Sequence, residues 1–281
     1  VKMANAAVNE CDVLFLVGAR VGDRAVKTPL ALEKTTKIIH IDIDPAEIGK
    51  NIGADLPLVG DAKLVLQQMT ELAKPMKHDE WIAHIKTLGG ERKYVEPAKG
   101  TVNPRVFIDR LAKKMPANVT VVADVGQNQI WTCTEYKFRK EGRLLTSGGM
   151  GTMGYSVPAA IGAKMADNSR ATVAICGDGA FQMSFMELAT AVQFGVDIKV
   201  VVMTNNRLGM VRELQTNGYH DRQTAVFLDG SPDFIKLAEA YGIPAMRVYD
   251  DDTMEKGVEM LAEHKGICLV EVVVDKDMPT L

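Results

Sequence analysis

A chain of 281 residues, 47% hydrophobic and 25% charged, has the balance of a soluble globular protein and the length for one large or two medium domains. Its net charge of −3, without a basic cluster, gives no electrostatic footing for nucleic acid, and no apolar run suits a membrane span or signal peptide. The four cysteines, Cys11, Cys133, Cys176 and Cys268, lack CxxC or zinc spacing, and Cys11 and Cys176 border or sit in apolar strands, as reduced thiols of a cytoplasmic protein would.

Val1 stands inside a helical pattern, so a fragment of a longer polypeptide or a processed product is expected. Residues 4–10 continue that helix, and 12–17 form a strand ending in Gly18-Ala19-Arg20. A second strand, 37–41, runs into Asp42-Ile43-Asp44-Pro45, where Pro45 opens a short helix at its favoured first position. Residues 56–59 form a third strand reaching Gly60-Asp61, and 62–73 an amphipathic helix. This alternation predicts a doubly wound parallel sheet. Arg20, Asp42 and Asp61, at strand ends, would line a nucleotide crevice, where an acid accepts from ribose hydroxyls. The same residue types also suit turns and caps.

Lys74-Pro75 breaks the helix. Residues 79–88 then place Trp81, Ile82, Ile85 and Leu88 at helical spacing, which reads as packing. Gly89-Gly90, Pro97 and Gly100 mark loop. The chain therefore divides into a domain over 1–75, a linker over 76–103 and a second domain over 104–281.

In the second domain, residues 104–115 form a helix with Val106, Ile108, Leu111 and Met115 inward. Residues 119–123 form a strand ending in Asp124-Val125-Gly126-Gln127-Asn128. A glycine-rich run, 147–155, precedes a helix led by Pro158. Within it, residues 149–154 spell G-x-G-x-x-G, with Asp178 further on, the pattern of a nicotinamide-dependent dehydrogenase. Against that reading, the preceding strand candidate, 143–146, is short and weakly apolar, and Gly179 and a helix follow Asp178 directly.

Residues 171–176 form a buried parallel strand that stops at Gly177-Asp178-Gly179, where two glycines allow a tight turn and close approach. A helix follows with Phe185, Leu188, Ala189 and Val192 on one face and Gly195 as C-cap. A second strand, 198–203, leads into Thr204-Asn205-Asn206. Right-handed crossover puts Asp178 and Asn205, 27 positions apart, at one carboxyl edge. A carboxylate, an amide oxygen and a turn carbonyl make a hard-oxygen half-site of the kind Mg²⁺ uses when it also holds a diphosphate. Asp after a strand is also a common helix cap, and Asn-Asn a common turn. Together, at the two ends of one crossover, they read as a site. The chain closes with a helix over 232–241, a strand over 246–248, a helix over 253–263 and a strand over 268–274. His40, His78, His84, His220 and His264 are scattered without metal spacing.

GDG, some two dozen residues and then NN resembles the thiamine diphosphate signature of a decarboxylase and synthase superfamily. GARVGDR, IIHIDIDPAEIGKNIGADLPLVGD and RLGMVRELQ narrow the resemblance to the acetohydroxyacid (acetolactate) synthase catalytic subunit, over nearly the whole chain. It implies an α/β fold of doubly wound parallel sheets. Residues 1–75 would be the C-terminal half of the middle, FAD-region domain, and 104–281 the thiamine diphosphate-binding domain. The implied cofactors are thiamine diphosphate, Mg²⁺ and FAD, the last with Arg20, Asp42 and Asp61 in a site that lacks its first half.

The resemblance also assigns parts. The turn Val125-Gly126-Gln127 would belong to the cofactor site, Gln127 and its neighbours approaching the diphosphate, and Gly151 with its neighbours would pass under the thiazolium ring. Met153 would wedge between the two rings and bend the cofactor. Gly177, Asp178, Gly179, Ala180, Asn205, Arg207, Leu208 and Met210 would form the cofactor site, with Asp178, Asn205 and the Arg207 carbonyl on the metal. Met210, Val211 and Leu214 would border the substrate, Leu214 standing where the family commonly has Trp. The family's tail over the active site is expected to be short or missing after Leu281.

The implied activity decarboxylates pyruvate and condenses the hydroxyethyl carbanion with a second 2-oxoacid, pyruvate or 2-oxobutyrate, towards branched-chain amino acids. The cofactor-activating glutamate has no match here. It would come from the N-terminal pyrimidine-binding domain of a second chain, so a homo-oligomer is expected, with a regulatory small subunit as a further partner, and this chain alone should be inactive. Another thiamine diphosphate-dependent decarboxylase or pyruvate oxidase is the runner-up. A split-gene binding or assembly module is the non-enzymatic alternative.

Overall fold

Short β-branched runs separated by helices build two parallel sheets. The computed structural model describes residues 2–22, 25–26, 29–88 and 94–281, and it divides into two units, Val1–Arg92 and Lys93–Leu281.

The first unit runs α1 (Lys2–Glu10), β1 (Val13–Val17), α2 (Pro29–Glu33), β2 (Lys37–Asp42), β3 (Leu56–Val59), α3 (Ala62–Leu72) and α4 (Asp79–Thr87). Its strands pair in parallel in the order β1-β2-β3. Its core is small, with Ile38, Ile52, Leu32 and Val21 at the centre. Val13, Phe15 and Val17, alternate residues on one face of β1, are exposed. Pro45 does not open a helix. Asp44 instead caps a run of turns, its carboxylate accepting from the Ala46 N–H at 2.9 Å, and Gly49 at φ 74° closes it.

The expected linker is not uniform. Helix α4 belongs to the first unit: it packs on α1, with His84 Nε2 2.6 Å from a Glu10 carboxylate oxygen. The segment ahead of residue 104 belongs to the second, since the Val102 N–H donates to the Val273 carbonyl at 2.9 Å. The Trp81 stripe packs only partly, and Ile82 is exposed. The Gly89-Gly90 loop lies outside the described residues.

The second unit begins with α5 (Pro104–Lys114), capped by the Asn103 side chain with Pro104 at its favoured position. Then come β4 (Thr120–Ala123), α6 (Gln127–Glu135), β5 (Arg143–Thr146), α7 (Ser156–Ala166), β6 (Thr172–Gly177) and α8 (Asp178–Gln182). After α8 follow α9 (Leu188–Gln193), β7 (Lys199–Thr204), α10 (Gly209–Gly218), α11 (Phe234–Ala240), β8 (Ala245–Val248), α12 (Asp251–Glu263) and β9 (Cys268–Val273). All six strands are parallel, in the order β5-β4-β6-β7-β9-β8.

Strand residues alternate between two cores. Val121, Val173, Ile175 and Val201 meet Phe107 and Leu111 of α5, Trp131 of α6 and Leu261 of α12. Val122, Ala174, Cys176 and Val202 meet Val157 of α7, Phe181 of α8, Leu188 of α9 and Phe234 of α11. This period of two, with helices on both faces, is the doubly wound arrangement. At about 1.5–3 kcal/mol for each fully buried large side chain, the second unit holds most of the apolar stabilisation.

One expected helix is broken. Between α8 and α9, Ser184 leaves helical geometry at φ −144° and residues 185–187 form a 3₁₀ turn. Leu188 and Ala191 are buried, whereas Ala189 and Val192 are exposed, so the expected inward face is only half right. The glycine-rich run presses on the break, because a Cβ on Gly154 would stand 3.0 Å from Met183 Cβ.

Candidate cofactor site

The larger sheet reverses its order between β4 and β6, β5 lying to one side of β4 and the later strands to the other. In parallel sheets ligands bind at such a switch, outside the carboxyl ends of the strands. A cavity lies there, bounded by residues 125–128 after β4, 177–180 after β6, and 205 and 207–211 after β7, with Met153, Met203 and Trp131 completing its wall.

Asp178, the first residue of α8, is 2% exposed. One carboxylate oxygen accepts from the Gly179 N–H at 2.8 Å. The other accepts from the N–H groups of Asn205 at 3.1 Å and Asn206 at 2.6 Å, tying the end of β6 to the end of β7. Asn206 takes φ 53°, a left-handed conformation that Asn tolerates better than most residues. Burial pushes the Asp178 carboxyl up to about 6, against the pull of these backbone N–H donors. A buried carboxylate without a counter-charge in hydrogen-bond contact is what a bound cation would relieve.

The Asn205 side-chain oxygen accepts from the Arg207 N–H at 3.1 Å, and its NH₂ donates to Gln127 Oε1 at 3.3 Å. Arg207 spends its charge elsewhere, donating to Asp229 at 2.8 Å with its guanidinium 4.6 Å over the Phe227 ring. Gly179 permits close approach: a Cβ there would stand 2.8 Å from a Leu208 methyl and 3.4 Å from the Met153 methyl. The donor set is thus one carboxylate, one amide oxygen and main chain, which suits a hard dication and not zinc. No cluster of three or more His, Cys, Asp or Glu suited to a metal occurs among the described residues.

Of the residues singled out in sequence, Gln127, Met153, Gly177, Asp178, Gly179, Ala180, Asn205, Arg207, Leu208, Met210 and Val211 all line this cavity. Gly151, at φ 64°, and Leu214, exposed on α10, are not among its lining. Arg20, Asp42 and Asp61 lie in the first unit. Asp42 accepts from the Asp44 N–H, Asp61 caps α3 through the Leu64 N–H, and Arg20 stands 3.6 Å from Glu47.

Sequence reasoning missed Trp131, Met203 and Gly209 on the cavity wall, and above all the part played by Asp124. Asp124 is fully buried, and its carboxylate accepts from the N–H groups of Val125 (2.8 Å), Gly154 (3.0 Å) and Ser156 (2.7 Å), pinning the glycine-rich run to the end of β4. An acid at a strand end with glycines downstream was the available signal. Residues 278–280 reach this wall: the Met278 carbonyl and the Thr280 hydroxyl accept from Gln127, and the Pro279 carbonyl accepts from the Trp131 indole N–H at 3.1 Å.

The dehydrogenase pattern does not survive this topology. Its glycines follow β5 and its acid follows β6, and β4 lies between those two strands. A dinucleotide fingerprint needs them adjacent.

The sequence pattern of the family described as "Thiamine pyrophosphate enzyme, C-terminal TPP binding domain" matches residues 124–272, more than half of the chain. The chain belongs to the thiamine pyrophosphate enzymes. Residues 1–69 match the central domain of the same enzymes. Among curated relatives, this thiamine pyrophosphate enzyme is similar to the probable acetolactate synthase large subunit of Methanocaldococcus jannaschii, at 39% identity over 98% of this chain and 48% of the relative. It is also similar to the acetolactate synthase large subunit of Lactococcus lactis, at 36% identity over 97% and 48%. With the acetolactate synthase isozyme 2 large subunit of Escherichia coli it shares 35% identity over 98% and 50%. The chain spans about half the length of these relatives. No helix among the described residues is long and apolar enough to cross a membrane.

Proposed function

We propose that this chain is the cofactor-holding part of an acetolactate synthase, with Asp178, Asn205 and the Arg207 carbonyl binding Mg²⁺ and, through it, the diphosphate of thiamine diphosphate. The observation that carries this is the joining of the ends of β6 and β7 through Asp178, whose buried carboxylate has no cationic partner in hydrogen-bond contact among the described residues. When bound, the cofactor supplies the carbanion chemistry that decarboxylates pyruvate and joins the two-carbon unit to a second 2-oxoacid.

The protein's part is placement. Met153 would hold the cofactor bent, while Gly179 lets Met153 and Leu208 close over its backbone. Met210 and Val211, on the cavity wall, would border the substrate. Leu214 leaves a roomier approach than Trp, loosening the choice between pyruvate and 2-oxobutyrate. We assign no step to FAD: Asp42 and Asp61 are engaged in local caps, and the Arg20 side chain is 72% exposed.

A pyrimidine-binding domain from a second chain would complete the site, in a cytoplasmic oligomer to which a regulatory subunit would add. The test is acetolactate formation from pyruvate with Mg²⁺ and thiamine diphosphate. We expect none from this chain alone and turnover once a chain carrying that domain is added. Appreciable activity without it would sink the claim that the activating group lies elsewhere.

A further inference from the structure

Gln127 is 4% exposed, and every polar atom of its amide is engaged. Nε2 donates to Glu213 Oε2 at 3.2 Å, the Met278 carbonyl at 3.0 Å and Thr280 Oγ1 at 3.1 Å. Thr280 is held in turn by Glu213, which accepts from both its N–H and its hydroxyl. These acceptors set the direction of the Gln127 amide, because turning it over would face its oxygen to a carboxylate and a carbonyl. Oε1 therefore points to Asn205 and accepts from Nδ2 at 3.3 Å. With its NH₂ taken there, the Asn205 amide turns its oxygen to the Arg207 N–H, from which it accepts at 3.1 Å, and keeps a second lone pair for a metal. Gly209 makes room for this contact: a Cβ there would stand 1.9 Å from Gln127 Oε1 and 3.0 Å from Asn205 Nδ2.

We propose that Gln127 is a positioning residue: Glu213 and the C-terminal segment 278–280 orient its amide, and it in turn orients Asn205 so that Oδ1 faces the metal. The inference rests on the metal assignment above and adds a relay from residues 278–280 to that site. Gln127 thereby acts through Asn205, since its donor group is spent on the C-terminal segment. Partners that orient a metal ligand typically matter about 10–100-fold in metal affinity.

The test is calorimetric titration of Mg²⁺ into the chain with excess thiamine diphosphate. Gln127→Met should weaken Mg²⁺ about 10–100-fold in the parent. In an Asn205→Asp background it should cost less than about threefold, because a carboxylate presents an oxygen whichever way it turns. Thr280→Val should weaken Mg²⁺ in the same direction and Thr280→Ser should not, a pair that serves should Gln127→Met fail to fold. Equal losses from Gln127→Met in both backgrounds would mean direct ligand contact and overturn the relay. So would parental affinity in Gln127→Met, whatever its melting temperature. Should the parent show no such binding, or Asp178→Ala bind as tightly as the parent, the metal assignment itself falls.

Discussion

Replacing Asp178 by Asn should make the metal-free protein more stable at about pH 8 while removing its response to metal. Burial holds the Asp178 carboxyl at about 6 in the folded protein against an ordinary 3.8. A pKa raised by folding favours the native state below the unfolded value and loses that advantage as pH rises to the folded one. Above pH ~6 the whole cost is present. At about 1.36 kcal/mol per pH unit it comes to about 3 kcal/mol. Asn avoids this cost but can satisfy fewer of the N–H groups of Gly179, Asn205 and Asn206, a loss of about 1–2 kcal/mol.

The variant should therefore gain about 1–2 kcal/mol over the parent at about pH 8 and lose that gain by about pH 4. Urea unfolding in chelator, followed through Trp131, which is 1% exposed in the second unit, gives the difference directly. Adding Mg²⁺ and thiamine diphosphate at 100 times their Kd should stabilise the parent by about 2.7 kcal/mol and the variant by nothing. A difference between the two proteins that does not change with pH would rule out ionisation of buried Asp178 as its source.

Two glycines should behave oppositely. Gly126→Ala meets φ 142° and a contact of 2.6 Å with Asn128 Oδ1, whose amide is fixed by the Asp124 and Ile175 carbonyls, and should cost about 2–5 kcal/mol in urea unfolding. Gly179→Ala meets only side-chain tips at ordinary φ, so stability should hold within about 1 kcal/mol while thiamine diphosphate binding weakens. Iodoacetamide on the native protein should label exposed Cys133 slowly, its thiol pushed up by partial burial, and leave Cys176 and Cys268 (the latter pushed up to about 11) untouched until unfolding. Peptide mass spectrometry reads that pattern. In enzyme completed by its partner chain, Leu214→Trp should shift competition between acceptors towards 2-oxobutyrate by about 10–200-fold, measured as the product ratio.

The meeting of Asp178 and Asn205 at one sheet edge was legible because its signals are local. Residues 171–176 and 198–203 are β-branched runs with one crossover between them, and the handedness of that crossover brings Asp178 to Asn205 without any knowledge of packing. The rest depended on contacts distant in sequence. Helix α6, Gln127–Glu135, carries few apolar residues, yet Trp131 buries it and the Pro279 carbonyl holds it. Two of the partners of Asp124, Gly154 and Ser156, lie 30 and 32 residues downstream, and Gln127 and Thr280 are 153 apart. In the first unit, Asp44 and Gly49 close in turns what the Pro45 signal suggested as a helix. Propensity at one position yielded there to side-chain capping.

Thiamine diphosphate binding with and without Mg²⁺ reports on Asp178 itself. Thiamine diphosphate should quench Trp131, which lines the cavity, only when Mg²⁺ is present, and Asp178→Ala should abolish the effect. Binding that is equally tight without metal, or unchanged in Asp178→Ala, would contradict the assignment of Asp178 as the anchor of the site.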